Sequence, residues 1–286
     1  MHPVKSANIR ASVIVAVYND HVALDLILLS FNQQTYKNFE VVVAEDGRDP
    51  AIQDIVQRAK TTYFYPIKHT TQDDLGIRKA RSINNAILVS EGEVLVFIDG
   101  DCVPYTTFIE GHIALTTSRT VVTGRRTNLG PRYSDLLRQK RISALHLEKW
   151  FWMHYPFMCL DSKEGHVENG FYTPVGGPIY KIAKKLHRPN TSLLGCNFSC
   201  PRSAIMDING FDESYGETPV SDDTDLQWRL RGIGMNFISA KNVANQFHLY
   251  HARSFRNKIS NQEALELLKQ NQSKNRFRCE SGLDKH

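Results

Sequence analysis

Val94-Leu95-Val96-Phe97-Ile98-Asp99-Gly100-Asp101 is the stretch on which the fold turns. Five apolar residues in a row, mostly β-branched or aromatic, predict a strand buried on both faces, and the run stops at two carboxylates flanking a glycine. Strands buried on both faces belong to parallel sheets covered by helices. The pattern upstream agrees. Ala11 to Val17, Phe39 to Ala44 and Tyr63 to Lys68 read as three further strands. Between them, Asn19 and Asp20 can cap a helix to Gln33, and Asp49-Pro50 supplies a cap followed by proline in the first turn. Asp74 is placed to cap a helix from Gly76 to Ser90. Alternating strands and helices predict an α/β fold, a doubly wound and mostly parallel sheet with helices on both faces. Further along, Gly195 to Ser199 and Asn236 to Ala240 read as late strands, and Ser203 to Asn209 and Asp223 to Arg231 as short helices. From Ile259 a charged helix is expected to fade into a disordered end.

In such a sheet, ligands collect at the carboxyl ends of the strands. Those ends carry Tyr18-Asn19-Asp20, Glu45-Asp46 and Asp99-Gly100-Asp101. Neither G-x-G-x-x-G nor G-x4-G-K-[ST] is present, which argues against a dinucleotide-binding dehydrogenase and a P-loop enzyme. Two carboxylates flanking one residue at a strand end can hold a hard divalent cation, Mg²⁺ or Mn²⁺, and Mn²⁺ also accepts an imidazole. The bland alternative is a solvated turn. A second constellation is Gly210-Phe211-Asp212-Glu213 followed by Ser221-Asp222-Asp223-Thr224-Asp225. A carboxylate here could take a proton from a hydroxyl, with Asp223 the candidate base. Alternatively the acids only cap a helix, with Asp225 pairing Arg229 one turn on. In Phe247-His248-Leu249-Tyr250-His251, His251 could complete the metal shell begun by Asp101, and His248 is the weaker candidate.

The 286 residues and 41% hydrophobic content suit one large α/β domain. A net charge of +5 fits an anionic substrate or membrane surface and does not point to nucleic acid. The five cysteines are odd in number and irregularly spaced, so they are expected to be reduced thiols in a cytoplasmic protein. No run reaches the ~18 to 20 apolar residues of a spanning helix, so any membrane contact is expected to be peripheral, at the inner membrane. The candidate surface is Ala144 to Leu160, which carries Trp150, Phe151, Trp152, Tyr155 and Phe157; packing against the core is the simpler reading.

Taken in order, these segments resemble glycosyltransferase family 2, which has the GT-A fold. Val13 to Asn19 looks like its first strand, Val41 to Gly47 its second, Gly76 to Arg81 the segment before its D-x-D strand, and Asp99-Gly100-Asp101 the D-x-D itself. Gly195 to Ser199, Asn209 to Glu213, the Asp222-Asp223 pair and His251-Ala252-Arg253 are similar to galactosyltransferase-type and chondroitin-polymerase-type members. The resemblance implies a single domain over 8–256, with a nucleotide half to 101 and an acceptor half from 102, followed by a helix and tail over 257–286. It places Val17, Tyr18, Asp46, Arg78, Asp99 and Asp222 at the nucleotide sugar, Asp101, His251 and Asp99 at Mn²⁺ or Mg²⁺, and Asp223 as the base. It implies an inverting transfer of one sugar from a UDP-sugar, galactose or an N-acetylhexosamine, to a glycan or lipid-linked saccharide in bacterial surface-glycan synthesis. Departures are Glu45-Asp46-Gly47-Arg48 for the usual Asp-Asp-Gly-Ser and Asp222-Asp223 for the usual Glu-Asp. Q-x-x-R-W is absent, which points to single transfer rather than polymerisation. The alternatives are a sugar-phosphate nucleotidyltransferase, whose glycine-rich start is missing after Val17, and a non-catalytic carbohydrate-binding or scaffolding protein on the same fold.

Overall fold

Strand β1 (Ala11–Val17) alternates its side chains between two cores. Val13, Val15 and Val17 face one core, and Ile14 and Ala16 face the other. This period of two, with both faces apolar, demands a helical layer on each side. The computed structural model describes residues 10–186, 190–216, 218, 221–251 and 258–286, apart from the side chains of 183, 184, 186, 221, 222 and 258–261. Along the chain follow α1 (His21–Asn32), β2 (Phe39–Glu45), α2 (Pro50–Thr62), β3 (Ile67–Thr70), α3 (Lys79–Val89), β4 (Val94–Asp99), β5 (Cys102–Pro104) and α4 (Phe108–Leu115). Then come β6 (Thr120–Thr123), β7 (Thr127–Asn128), α5 (Pro131–Arg138), α6 (Ala144–Lys149), α7 (Phe151–Asp161) and α8 (Pro178–Leu186). The last elements are β8 (Asn197–Pro201), α9 (Arg202–Asp207), α10 (Leu226–Gly232), β9 (Asn236–Ser239), β10 (Gln246–His248) and α11 (Lys258–Ser273).

Among the described residues, seven strands form one sheet in the order β3-β2-β1-β4-β8-β6-β9. The β3-β2-β1-β4 half is parallel, β8 runs antiparallel to both β4 and β6, and β9 is parallel to β6. A second sheet of three strands, β5-β10-β7, begins directly after Asp101. The expected doubly wound, mostly parallel architecture is therefore present. The caps also form as read: Asp20 accepts from Ala23 N at 3.0 Å, and Asp49 accepts from Ala51 N at 2.8 Å ahead of Pro50.

Three details differ from the reading of the sequence. The third strand starts at Ile67, four residues later than expected, because Tyr63 ends α2 and Tyr65 is buried in an aromatic cluster with Phe31 and Phe39. Their hydrophobicity reflects core packing, not strand pairing. Helix α3 starts at Lys79, and its cap comes from another strand: Asp46 Oδ2 accepts the Arg78 N–H at 2.6 Å, a role expected of Asp74. The chain end is ordered. Cys279 and Leu283 are buried, and backbone N–H groups of Cys279 and Leu283 donate to the carbonyls of Ile208 and Asn209 at 3.2 and 3.1 Å. A few apolar residues spaced among polar ones sufficed, because they fill a cleft beside Gly210 and Gly232 that the sequence pattern does not reveal.

His112 of α4 is fully buried between Ser199 Oγ and Asn197 Oδ1, each 3.0 Å from a ring nitrogen. Burial lowers its pKa to about 4, although the bond to Asn197 opposes this. The unfolded state therefore binds a proton that the folded state refuses between roughly pH 6.5 and 4. Stability from this group is full above pH 6.5 and falls on acidification through that window. The loss expected is about 3 kcal/mol from the shift of the pKa. Urea unfolding of wild type and His112→Gln across pH 4 to 7.5 checks it. A stability difference between the two that does not change with pH would rule out His112.

Candidate functional site

The carboxyl ends of β1, β2 and β4 open on one cleft of about 360 Å³, lined by Val17, Tyr18, Asp46, Lys79, Asp99 and Asp101 among others. Its floor is set by a close approach. Gly100 donates its N–H to Ala16 O at 2.7 Å, and a Cβ at this position would come within 2.8 Å of that oxygen. A side chain on the middle residue of the triplet would push this backbone contact apart, and the close approach holds its two neighbours at the cleft. Asp46 is 4% exposed; its Oδ1 accepts from Gln72 Nε2 at 2.6 Å and its Oδ2 from the Arg78 backbone. The Arg78 side chain turns away, donating to Asp73 O, and does not line the cleft. Asp99 Oδ1 lies 2.7 Å from Lys79 Nζ. Asp20, on the cleft wall, forms a two-pronged pair with Arg138 at 2.8 and 2.7 Å. Burial alone would raise the Asp20 carboxyl, but the Arg138 bond and charge hold it below its usual value.

Asp101 meets two imidazoles. His248 Nε2 is 3.4 Å and His251 Nε2 3.2 Å from its Oδ2. The second sheet makes this possible, because β10 pairs antiparallel with β5 and sets His248 opposite Cys102, the residue after Asp101. The Leu249 N–H then donates to Asp101 O at 2.9 Å, which carries the chain round to His251. Burial would raise the Asp101 carboxyl, but hydrogen bonds from His248 and His251 outweigh it and hold it well below the usual range. One donor atom from each of the three lies within 4.8 Å of the others. A carboxylate with two imidazoles fits Mn²⁺ better than Mg²⁺, which favours oxygen ligands alone. Asp99 lines the same cleft but sits outside this three-residue cluster. His248, the weaker candidate in the sequence, is the buried member.

Asp223 lies against the loop that leads into β8, the neighbour of the triplet strand. Its Oδ1 accepts from Gly195 N, and Gln227 Oε1 accepts from Leu193 N at 2.5 Å. Leu193 and Leu194 line a second, polar cleft of about 520 Å³ together with Arg125, Arg126, Asn128 and Glu164. The Asp222 side chain and the residues Ala252-Arg253 of the late motif lie outside the described residues.

The family model described as glycosyl transferase family 2 matches residues 12–174. The chain belongs to glycosyltransferase family 2. The family 2 relatives include an uncharacterized glycosyltransferase YfnE from Bacillus subtilis, 24% identical over 82% of this chain and 64% of its own length. Another is chondroitin synthase from Escherichia coli, 26% identical over 46% of this chain and 20% of its own length. Glycosyltransferase AglE from Haloferax volcanii is 32% identical over 35% of this chain and 33% of its own. The chain thus spans less than two thirds of the length of these curated relatives. Among solved structures, the mannosyltransferase PcManGT from Pyrobaculum calidifontis, in complex with GDP-Man and Mn²⁺, superposes with TM-score 0.59. It is 15% identical and covers 93% of this chain and 64% of its own. TarS residues 1–349 from S. aureus, in complex with UDP-GlcNAc, gives 0.56 at 13% identity over 96% of this chain and 69% of its own. The family 2 domain here therefore has the GT-A fold, and the nucleotidyltransferase reading is set aside.

Two residues of this family 2 cleft escaped the reading of the sequence. Lys79 opens α3 and stands beside Asp99, and Ser82 follows one turn later on the cleft wall. No local signal marked them, because the helix N-terminus that presents Lys79 is fixed by Asp46 from across the sheet.

Proposed function

We propose that this chain transfers one sugar from a UDP-sugar, galactose or an N-acetylhexosamine, to an acceptor hydroxyl with inversion, in the synthesis of a bacterial surface glycan. The observation that carries this reading is the meeting of Asp101, His248 and His251 at the mouth of the cleft that also holds Asp46 and Asp99. The nucleotide half runs to 101, where Val17, Tyr18 and Asp46 meet the base and ribose, with Asp99 supporting; Arg78 contributes through its backbone N–H, which holds Asp46 in place. Asp46 has spare lone pairs for a base N–H, because each carboxylate oxygen accepts more than one bond. Lys79 supplies a positive charge beside Asp99. Asp101 and His251 hold Mn²⁺ or Mg²⁺ with His248, and Asp99 is the remaining candidate ligand. A divalent cation there supplies charge to offset the diphosphate leaving group. The acceptor, a glycan or lipid-linked saccharide at the membrane surface, occupies the second cleft. Asp223 takes its hydroxyl proton, Asp222 positions a sugar, and displacement on the face opposite the diphosphate inverts the anomeric carbon.

A panel of nucleotide sugars assayed for UDP release tests the reading. Activity should disappear with a chelator and return with Mn²⁺ or Mg²⁺. In calorimetry with metal present, Asp101→Ala and His248→Ala should each weaken UDP binding by at least about tenfold, or ~1.4 kcal/mol. Full activity in chelator, or unchanged UDP affinity in both variants, would remove the metal from the proposal.

A further inference from the structure

Helix α7 is apolar on two sides. Phe151 and Met158 point into the core, with Tyr155 packed against it. The opposite face carries Trp152, Met153, Phe157 and Leu160, which are 64%, 50%, 61% and 84% exposed. Surface helices ordinarily present charged or polar residues there. Four large apolar side chains exposed on one helix face mark an interaction site.

The charge of the region says what covers it. Residues 131–186 hold nine Lys and Arg against five Asp and Glu; counting in Asp20 and Asp25, the partners of Arg138 and Lys140, leaves an excess of two. Lys149 precedes α7 and Lys163 follows it, and both are exposed. A second copy of the chain would bring the same positive excess against itself, which Coulomb repulsion opposes. An anionic bilayer surface satisfies both features. Its headgroups attract the lysines, and Trp and Phe favour the boundary between headgroup and acyl chain. We propose that the outer face of α7 docks this protein on an anionic membrane surface.

The position of α7 gives the docking a use. The Asp161 carboxylate at its end accepts from the backbone of Arg132 and Tyr133 at 3.2 and 3.0 Å, and Ser162 Oγ donates to Asn128 O at 2.9 Å. Asn128 and Glu164 line the second cleft. The apolar helix thus ends at the rim of that cleft, and a bilayer against it would present a lipid-linked acceptor there. This last step rests on the proposed acceptor side; the docking itself does not.

The test is co-sedimentation of the full chain, without donor, with vesicles of phosphatidylcholine alone or mixed with phosphatidylglycerol. Wild type should sediment with the mixed vesicles and weakly with the neutral ones, and salt should release it, as screening of a charged contact requires. Trp152→Ser/Phe157→Ser/Leu160→Ser should bind at least about tenfold more weakly, as should Lys149→Glu/Lys163→Glu, in line with two-signal interfacial binding. These side chains are exposed, so melting curves should stay unchanged, and so should UDP release with a soluble acceptor. A wild type that ignores anionic vesicles overturns the proposal. So does a triple variant that binds like wild type, or light scattering that shows a wild-type dimer turned into monomers by the triple variant. Loss of UDP release in every protein, with vesicle binding intact, would instead count against the transferase reading.

Discussion

Asp223→Asn is expected to lower turnover by at least about 100-fold, within the range for loss of a general base, while UDP and metal bind as in wild type. The substitution is close to isosteric. Asn Oδ1 can still accept from the Gly195 N–H, so the loop that lines the second cleft stays tethered. What is lost is the capacity to take a proton. A structural role would show instead as a lowered melting temperature with turnover changed little. Asp222→Asn should be milder, because its part is to position a sugar. Steady-state kinetics beside melting curves separate the cases. A dead Asp222→Asn with an active Asp223→Asn would move the base one residue earlier. Activity in both would leave the pair as a helix-end feature and send the search elsewhere.

Two residues further on, the expected result is the reverse: Asp225→Ala should destabilise the fold by about 3 to 5 kcal/mol, the cost of leaving one partner of a buried ion pair alone. Asp225 and Arg229 are 0% and 1% exposed, and Arg229 Nε lies 2.6 Å from Asp225 Oδ2. Burial raises the Asp225 carboxyl above its usual value, although the Arg229 charge and the bonds from Arg229 and Tyr215 act against it. Arg229 Nη1 also donates to the carbonyls of Ile208 and Gly210 at 2.9 and 2.8 Å, which ties α10 to the turn after α9. The same turn is gripped by Asn84, whose Nδ2 donates to Phe211 O and whose Oδ1 accepts from Phe211 N, at 2.8 and 2.9 Å. Removing Asp225 leaves a guanidinium charge in this core. The double variant Asp225→Ala/Arg229→Met should recover part of the loss, because no unpaired charge remains. Denaturant unfolding of the three proteins decides it. A loss below about 1 kcal/mol for Asp225→Ala, the scale of an exposed pair, would mean that the pair contributes little.

These neighbours show how legible the site was. The Asp225–Arg229 pair could be read from its spacing of four on a helix, and the buried geometry agrees. The Asp99-Gly100-Asp101 triplet could be read because an apolar run leads into it. Lys79 and the capping role of Asp46 could not, since both depend on the end of β2 meeting the start of α3 across the sheet. The ordered end was misread for a related reason: Cys279 and Leu283 are sparse in sequence and dense only where they pack.

What the sequence by itself determined is the alternation of doubly apolar strands with capped helices, and hence a sheet that must be wound on both faces with its polar residues at the strand ends. Periodicity and capping are local, so they survive in a linear reading. What only the tertiary structure decided is which distant groups meet. His248 stands 147 positions after Asp101 in the chain and 3.4 Å from it in space, because β10 returns antiparallel to β5. No local propensity encodes that return. It follows from packing a second small sheet against the first, where pairing the backbone groups of β5 and β10 satisfies polar atoms that burial would otherwise leave without partners.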